Sequence, residues 1–267
     1  MTLRYSCYEN TDMADDLKGK VVLITGSSTG IGAAVAVAFG RHGARVVVHY
    51  NSSRGPAQEV FEAVRASGAE AILLQGDVMQ SGQCRQLVDD TVQAFGRLDV
   101  LINNAGALVK RVPIEEVTDE LFDNVLHLNA RSAMMCTAAA VAVMRRQGQG
   151  GSIINLTSVA ARHGGGTGAS LYAGSKGFIS TITRGLAKEL AKDHIRVNAV
   201  APGVITTPFH ERFSTPQMLE GFKATIPMNR LGTAQECAGA FLYLASEQMS
   251  GYVTGQIIEV NGGQYMP

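Results

Sequence analysis

Short apolar, β-branched runs alternate along the chain with longer stretches of mixed polarity. The runs fall at residues 21–25, 45–50, 71–75, 100–103, 152–157, 196–201 and 256–260. They are almost continuously apolar, as strands are when both of their faces are buried. Between them, residues 32–40, 56–67, 81–95, 118–144 and 172–191 carry helix formers at helical spacing. Strands separated by helices run parallel, because the connection is long enough to return the chain to the same end of the sheet. The pattern predicts an α/β fold: a doubly wound, mainly seven-stranded parallel sheet with helices on both faces. Residues 1–18, with Glu9, Asp12, Asp15 and Asp16, read as a polar tail. Residues 19–267 carry no repeat or linker that would divide them and read as one domain.

A doubly wound sheet binds its ligand outside the carboxyl ends of its strands, so the residues just after each strand matter most. The first strand runs into Thr25-Gly26-Ser27-Ser28-Thr29-Gly30-Ile31-Gly32, a glycine-rich turn that opens a helix. In that context such a turn cradles a pyrophosphate on backbone amides and a helix N-terminus. The second strand ends in Asn51, Ser52, Ser53 and Arg54, and no acid appears before Glu59. An acid here would bind the ribose hydroxyls of NAD. Its absence, with Arg54 close by, favours NADP(H) and leaves NAD(H) open. The third strand ends in Gly76-Asp77-Val78 and the fourth in Asn103-Asn104-Ala105-Gly106. The fifth ends in Thr157-Ser158 and precedes a helix carrying Tyr172 and Lys176; the sixth ends in Pro202-Gly203-Val204-Ile205-Thr206.

Composition narrows the function. Lys+Arg and Asp+Glu number 23 each, so the formal net charge is zero and the electrostatic footprint of a nucleic-acid binder is missing. Cys7, Cys84, Cys136 and Cys237 are widely spaced and form no CxxC pair, so neither a disulfide framework nor a metal site is expected. The first residues have no apolar core of a secretory signal, and the longest apolar run, 133–144, is short of the ~20 residues of a membrane span. A cytoplasmic, reduced setting follows as the expectation, with a small molecule rather than a nucleic acid or membrane as partner.

Taken together, these motifs resemble the short-chain dehydrogenase/reductase family in its single-domain form, over nearly the whole chain. TGSSTGIG at 25–32 resembles the family's TGxxxGxG turn, and NNAG at 103–106 its next motif. Asn129, Ser158, Tyr172 and Lys176 match its Asn–Ser–Tyr–Lys tetrad with the YxxxK spacing. The resemblance implies a Rossmann-type fold and hydride transfer between a nicotinamide and a secondary alcohol or ketone. It implies cofactor contacts from Gly26, Ser28, Gly30, Ile31, Gly32, Asn51, Ser52, Asp77, Val78, Asn104, Ala105 and Gly106. It extends them to Tyr172, Lys176, Pro202, Gly203, Val204 and Thr206. Catalysis is expected from Asn129, Ser158, Tyr172 and Lys176, with no metal.

The chemistry follows from the residue types. Tyr172 and Lys176, at i and i+4, share a helix face. A lysine ammonium beside a phenol favours the phenolate, so a lowered Tyr172 pKa is expected, with Tyr172 as general acid or base. Ser158 would steady the substrate oxygen. By the resemblance, Asn129 holds a water that links Lys176 to solvent. The family's variable pocket stretches correspond to 108–113, 160–171 and 205–229, the last reading as a lid with Phe209, His210, Arg212, Phe213, Met218 and Phe222. Lys110 or Arg212 could meet an anionic substrate, and His163 could touch the ligand. A 3-oxoacyl thioester and a sugar or polyol are the two substrate classes that stay open. By the resemblance, the helices at 131–144 and 172–191 and the end segment Asn261-Gly262-Gly263 correspond to the family's subunit interfaces, which implies a homotetramer. The competing reading is a catalytically retired protein that binds NADPH as a sensor.

Overall fold

The computed structural model describes residues 14–267. Each of the seven expected runs forms a strand: β1 Val21–Ile24, β2 Arg45–Tyr50, β3 Ala71–Gln75, β4 Val100–Asn103, β5 Gly151–Leu156 and β6 Ile195–Pro202, then the last run, Ile257–Val260. Two short strands, β7 Ile205–Thr206 and β8 Gly232–Thr233, pair in a small sheet of their own, which makes Ile257–Val260 β9. All pairings in the main sheet are parallel, in the order β3-β2-β1-β4-β5-β6-β9. The strand order reverses direction between β1 and β4, the point at which such sheets open a crevice for ligand.

The helices cover both faces: α1 Gly30–Arg41, α2 Arg54–Ala66, α3 Ser81–Phe95, α4 Asp119–Leu126, α5 Ser132–Gln147, α6 Ala160–His163 and α7 Ser170–Leu190. Then come α8 Pro208–Phe213, α9 Pro216–Ala224, α10 Ala234–Ala245 and α11 Glu247–Ser250. Alternation along the strands divides the core in two. Val22, Ile24, Val46 and Val48 pack with α1, α2 and α10, whereas Val21, Leu23 and Val47 pack with α3, α5 and α7. The strands are mostly apolar because they serve both layers.

Two expectations change. The helical stretch expected over 118–144 is not one helix: a π turn, His127–Arg131, separates α4 from α5. Its Nδ2 bonds pull Asn129 toward both the loop after β4 and its own helix, and the wider turn accommodates that. The last residues of the expected tail are packed: Leu17 is buried in the core, and the Asp16 carboxylate accepts from Ser246 Oγ at 2.7 Å and from the Glu247 amide at 2.7 Å, capping α11. The rest of that segment, with Cys7, lies outside the described residues. Among the described residues, Cys84, Cys136 and Cys237 are free and buried, and no helix is long and apolar enough to cross a membrane.

Candidate active site

The turn after β1 is built around close backbone approaches. Gly26 has φ +63°, and a Cβ there would lie 2.9 Å from Ala105 Cα. A Cβ on Gly32 would meet Asn104 Nδ2 at 2.5 Å and Gly26 O at 2.7 Å, so this glycine lets α1 close onto the turn. Asn104 fills the space left: its Nδ2 donates to Thr25 O and Gly26 O, each at 2.8 Å. His49, at the end of β2, braces the same turn. Its Nδ1 accepts from the Gly26 amide at 2.8 Å, which leaves Nε2 to donate to Gly76 O at 2.9 Å. Burial holds this imidazole below its ordinary pKa, so it stays a neutral acceptor.

The loop after β4 is fixed by Asn129. Its Nδ2 donates to Ala107 O at 2.8 Å and Val125 O at 2.9 Å, and its Oδ1 accepts from the Ala107 amide at 3.1 Å. Gly106 makes room for this: a Cβ there would lie 2.6 Å from Asn129 Oδ1 and 3.1 Å from Lys176 Nζ.

Buried polar contacts hang α7 from β5. Asn155 Nδ2 donates to Thr183 Oγ1 at 2.9 Å, and Thr157 Oγ1 donates to Lys176 O at 2.8 Å. Lys176 itself is buried, with Nζ donating to Leu156 O at 2.8 Å. These contacts bring Tyr172, in the first turn of α7, opposite Ser158 at the end of β5. The expectation of a lowered phenol pKa is reversed. Burial pushes Tyr172 up to about 12, and a hydrogen bond with Ser158 draws it only partly back. Lys176 Nζ sits 5.8 Å over the Tyr172 ring, and burial pushes its ammonium down to about 8. Desolvation is the largest influence on the phenol, and Tyr172 keeps its proton at neutral pH.

A single cavity of about 520 Å3 runs along these strand ends. That lies within the range of small-molecule and cofactor sites. Its wall takes Gly26, Ser28, Gly30 and Ile31 from the first turn, then Asn51, Ser52, Asp77 and Val78 from the second and third strand ends. Asn104, Ala105 and Gly106 follow from the fourth, Ser158, Tyr172 and Lys176 from β5 and α7, and Pro202, Gly203 and Val204 from β6. Three expected residues stand back from it. Gly32 packs inside the turn, Asn129 acts behind Gly106, and Thr206 is exposed in β7, paired with Thr233. Successive strand residues face opposite ways, so Thr207 lines the cavity instead of Thr206. Arg54 is exposed at the start of α2, outside the cavity wall.

The stretch expected to act as a lid forms α8 and α9, beside the cavity. Phe209, His210 and Phe222 reach the wall, whereas Met218, Phe213 and Arg212 do not; Arg212 stacks on Phe213 at 5.3 Å. His163, which the sequence left open between a ligand contact and a solvent-facing loop residue, lines the wall. Lys110 does not, and its neighbour Arg111 takes that place. Gln264, near the C-terminus, also lines the cavity; its Nε2 donates to Thr225 Oγ1 at 3.0 Å, while its buried Oε1 has no partner among the described residues. Sequence reasoning passed over His49, Thr207, Arg111 and Gln264, although His49 and Thr207 adjoin the motifs it singled out.

A family model described as enoyl-(acyl carrier protein) reductase matches residues 26–264. An uncharacterized oxidoreductase of Methylorubrum extorquens is 43% identical over 249 residues, covering 92% of this chain and 98% of that one. A 3-oxoacyl-[acyl-carrier-protein] reductase of Synechocystis is 38% identical over 254 residues, 94% of this chain and 98% of the relative. Among solved structures, an NADH-dependent reductase, A1-R', responsible for alginate metabolism has a TM-score of 0.87 at 40% identity, covering 95% of this chain and 100% of that one. Its complex with NAD gives a TM-score of 0.85 at 40% identity, over 95% and 100% of the two chains. The chain belongs to the short-chain dehydrogenase/reductase family. It is an NAD(P)-dependent oxidoreductase with the Rossmann-type sheet of that family.

Proposed function

We propose that the protein reduces a ketone or aldehyde to an alcohol, with Tyr172 as the proton donor and NADPH as the preferred reductant. The observation that carries this is the single cavity in which Tyr172, Ser158 and Lys176 share a wall with the glycine turn. A phenol pushed up to about 12 is protonated at neutral pH and suited to giving a proton to a carbonyl oxygen rather than taking one from an alcohol. The nicotinamide dinucleotide supplies the hydride when bound. This chain's residues do the rest. Ser158 donates to the carbonyl oxygen, and Tyr172 transfers its proton to that oxygen as charge develops. The Lys176 cation steadies the phenolate left behind. Asn129 holds the loop after β4 in place and, in this reading, orders the water through which Lys176 meets solvent.

The dinucleotide fits the donor set. The glycine turn and the N-terminus of α1 suit the pyrophosphate. At the other end, Ser52 and Ser53 line the cavity beside the N-terminus of α2, and the Ser53 side chain forms no cap bond there. The Ser52 and Ser53 hydroxyls and the helix dipole suit a 2′-phosphate. Arg54 stands at the same helix end.

The relatives divide on substrate: one is named for a 3-oxoacyl thioester and another for alginate metabolism. The deciding experiment follows nucleotide absorbance with NADPH and NADH against 3-oxoacyl thioesters, keto sugars and cyclic ketones. Turnover of one class, faster with NADPH, supports the proposal. Nucleotide binding without turnover on any carbonyl favours the retired-sensor reading. Assembly as a homotetramer is part of the proposal. Phe122 on α4 and Phe178 on α7 are 45% and 41% exposed, apolar rings that a self-complementary contact would cover. Sedimentation should report four chain masses.

A further inference from the structure

Arg111 is a cation inside the cavity with no counter-charge. Its Nη1 donates to Thr167 O at 2.6 Å and its Nε to Phe213 O at 3.4 Å. A guanidinium has five N–H groups, so three remain without a protein partner among the described residues. It forms no ion pair among those residues either. Burial pushes its pKa below the ordinary value, the mark of a cation partly stripped of water. His210, which feels the Arg111 charge, offers no compensation: it is pushed down to about 4 by burial and by that charge, and is neutral at pH 7. Among the described residues the only carboxylate in the cavity wall is Asp77. It follows β3, whereas Arg111 follows β4, with β2 and β1 between.

An aromatic wall of the same cavity connects this charge to the reaction centre. An aromatic wall leads from Tyr172 to Phe209 at 5.7 Å, to His210 at 5.2 Å and to Phe222 at 6.3 Å between successive ring centroids. The Cβ position of Gly166 is 3.8 Å from both Arg111 Nη1 and the edge of the Phe222 ring, so the wall ends at the guanidinium. The backbone leading to it is strained. Val109, a β-branched residue, has φ +68° in a tight turn closed by the Lys110 amide on Leu108 O at 2.9 Å.

We propose that the substrate carries a carboxylate, which pairs with Arg111 while its carbonyl meets Tyr172 and Ser158. This rests on the carbonyl-reductase reading. Arg111 ties Thr167 and Phe213 together before substrate arrives and adds the ion pair once it does, so binding also tightens the lid over the cavity.

The test compares matched probes with the intact enzyme and reduced nucleotide: pyruvate against pyruvamide, 4-oxopentanoate against 4-oxopentanamide, and D-glucuronate against D-glucose. In the wild type, the acid of at least one pair should exceed its neutral partner by about tenfold or more in kcat/KM. An exposed ion pair would give less than that, whereas a partly desolvated one reaches it. Arg111→Gln should collapse that ratio toward one, chiefly through the KM of the acid. Arg111→Lys, which keeps the charge but not the fork, should restore part of it. Neutral partners equal to or better than the acids in every pair would overturn the proposal. So would an acid preference that survives Arg111→Gln, or a loss that is equal for acid and neutral substrates, which would make Arg111 a lid clasp only. Failure of the underlying reading looks different: no probe of either kind, and no other carbonyl, would be reduced by the wild type.

Discussion

Asn129 holds both backbone polar groups of Ala107, donating from Nδ2 to the carbonyl at 2.8 Å and accepting at Oδ1 from the amide at 3.1 Å. The same Nδ2 reaches Val125 O within its own helix at 2.9 Å, across the π turn that separates α4 from α5. One side chain thus couples the loop after β4 to the helix that follows it, directly behind Gly106 and Lys176.

Replacing it should cost stability as well as rate. Asn129→Ala leaves the half-buried Ala107 amide and carbonyl without their side-chain partner. A loss of about 1–3 kcal/mol is expected for such unsatisfied groups. Denaturant unfolding at unchanged m-value would measure it. A negligible shift would mean that water replaces the amide at no cost.

Tyr172→Phe separates chemistry from structure. It removes a hydroxyl and keeps the ring that packs 5.7 Å from Phe209. Turnover should fall by roughly 10²–10⁴, the scale of a lost general acid, while nucleotide binding stays near that of the wild type. Turnover unchanged from the wild type would remove Tyr172 from the mechanism.

Lys176 sets an upper pH limit for reduction. Its ammonium is pushed down to about 8, so the cation that steadies the Tyr172 phenolate is present below that pH and is lost above it. Tyr172 stays protonated well past this point because burial pushes it up to about 12. The rate of reduction should therefore decline as pH rises through about 8. A profile flat to pH 10 would show that the lysine charge is not used.

His49 should matter for nucleotide affinity although it adjoins no reacting atom. Its neutral ring accepts from the Gly26 amide at 2.8 Å and spans to Gly76 O at 2.9 Å. His49→Leu keeps apolar bulk but strands the amide, and the turn should loosen by about 1–3 kcal/mol. Titration of NADPH into the variant would show this as weaker binding. Affinity equal to that of the wild type would mean that the turn holds its shape without the brace.

Cofactor choice is checked at Ser52. If a 2′-phosphate sits beside the N-terminus of α2, NADPH should bind more tightly than NADH. Ser52→Asp should then reverse the order, since a carboxylate repels the phosphate and binds ribose hydroxyls. A reversal of about tenfold corresponds to ~1.4 kcal/mol. NADH binding at least as tight as NADPH in the wild type would overturn the preference.

The hydrophobic pattern by itself determined the strands. Val21–Ile24, Arg45–Tyr50 and the rest are legible because a strand buried on both faces is apolar at most positions, whatever surrounds it. The glycine turn and the Tyr172–Lys176 spacing are legible for the same reason: their requirements are local, a left-handed backbone in one case and one helix face in the other. Tertiary structure alone decided the rest. Residues 118–144 carry a helical pattern with no local signal for a break; the π turn forms where distant Ala107 offers Asn129 its bonds. Thr207 rather than Thr206 faces the cavity because β7 pairs with β8, a partner more than twenty residues away. Arg111 rather than Lys110 or Arg212 enters the cavity because Thr167 and Phe213 hold its guanidinium there. Period and residue type act within a few positions along the chain. Where a loop side chain points is set by groups that only the fold brings near.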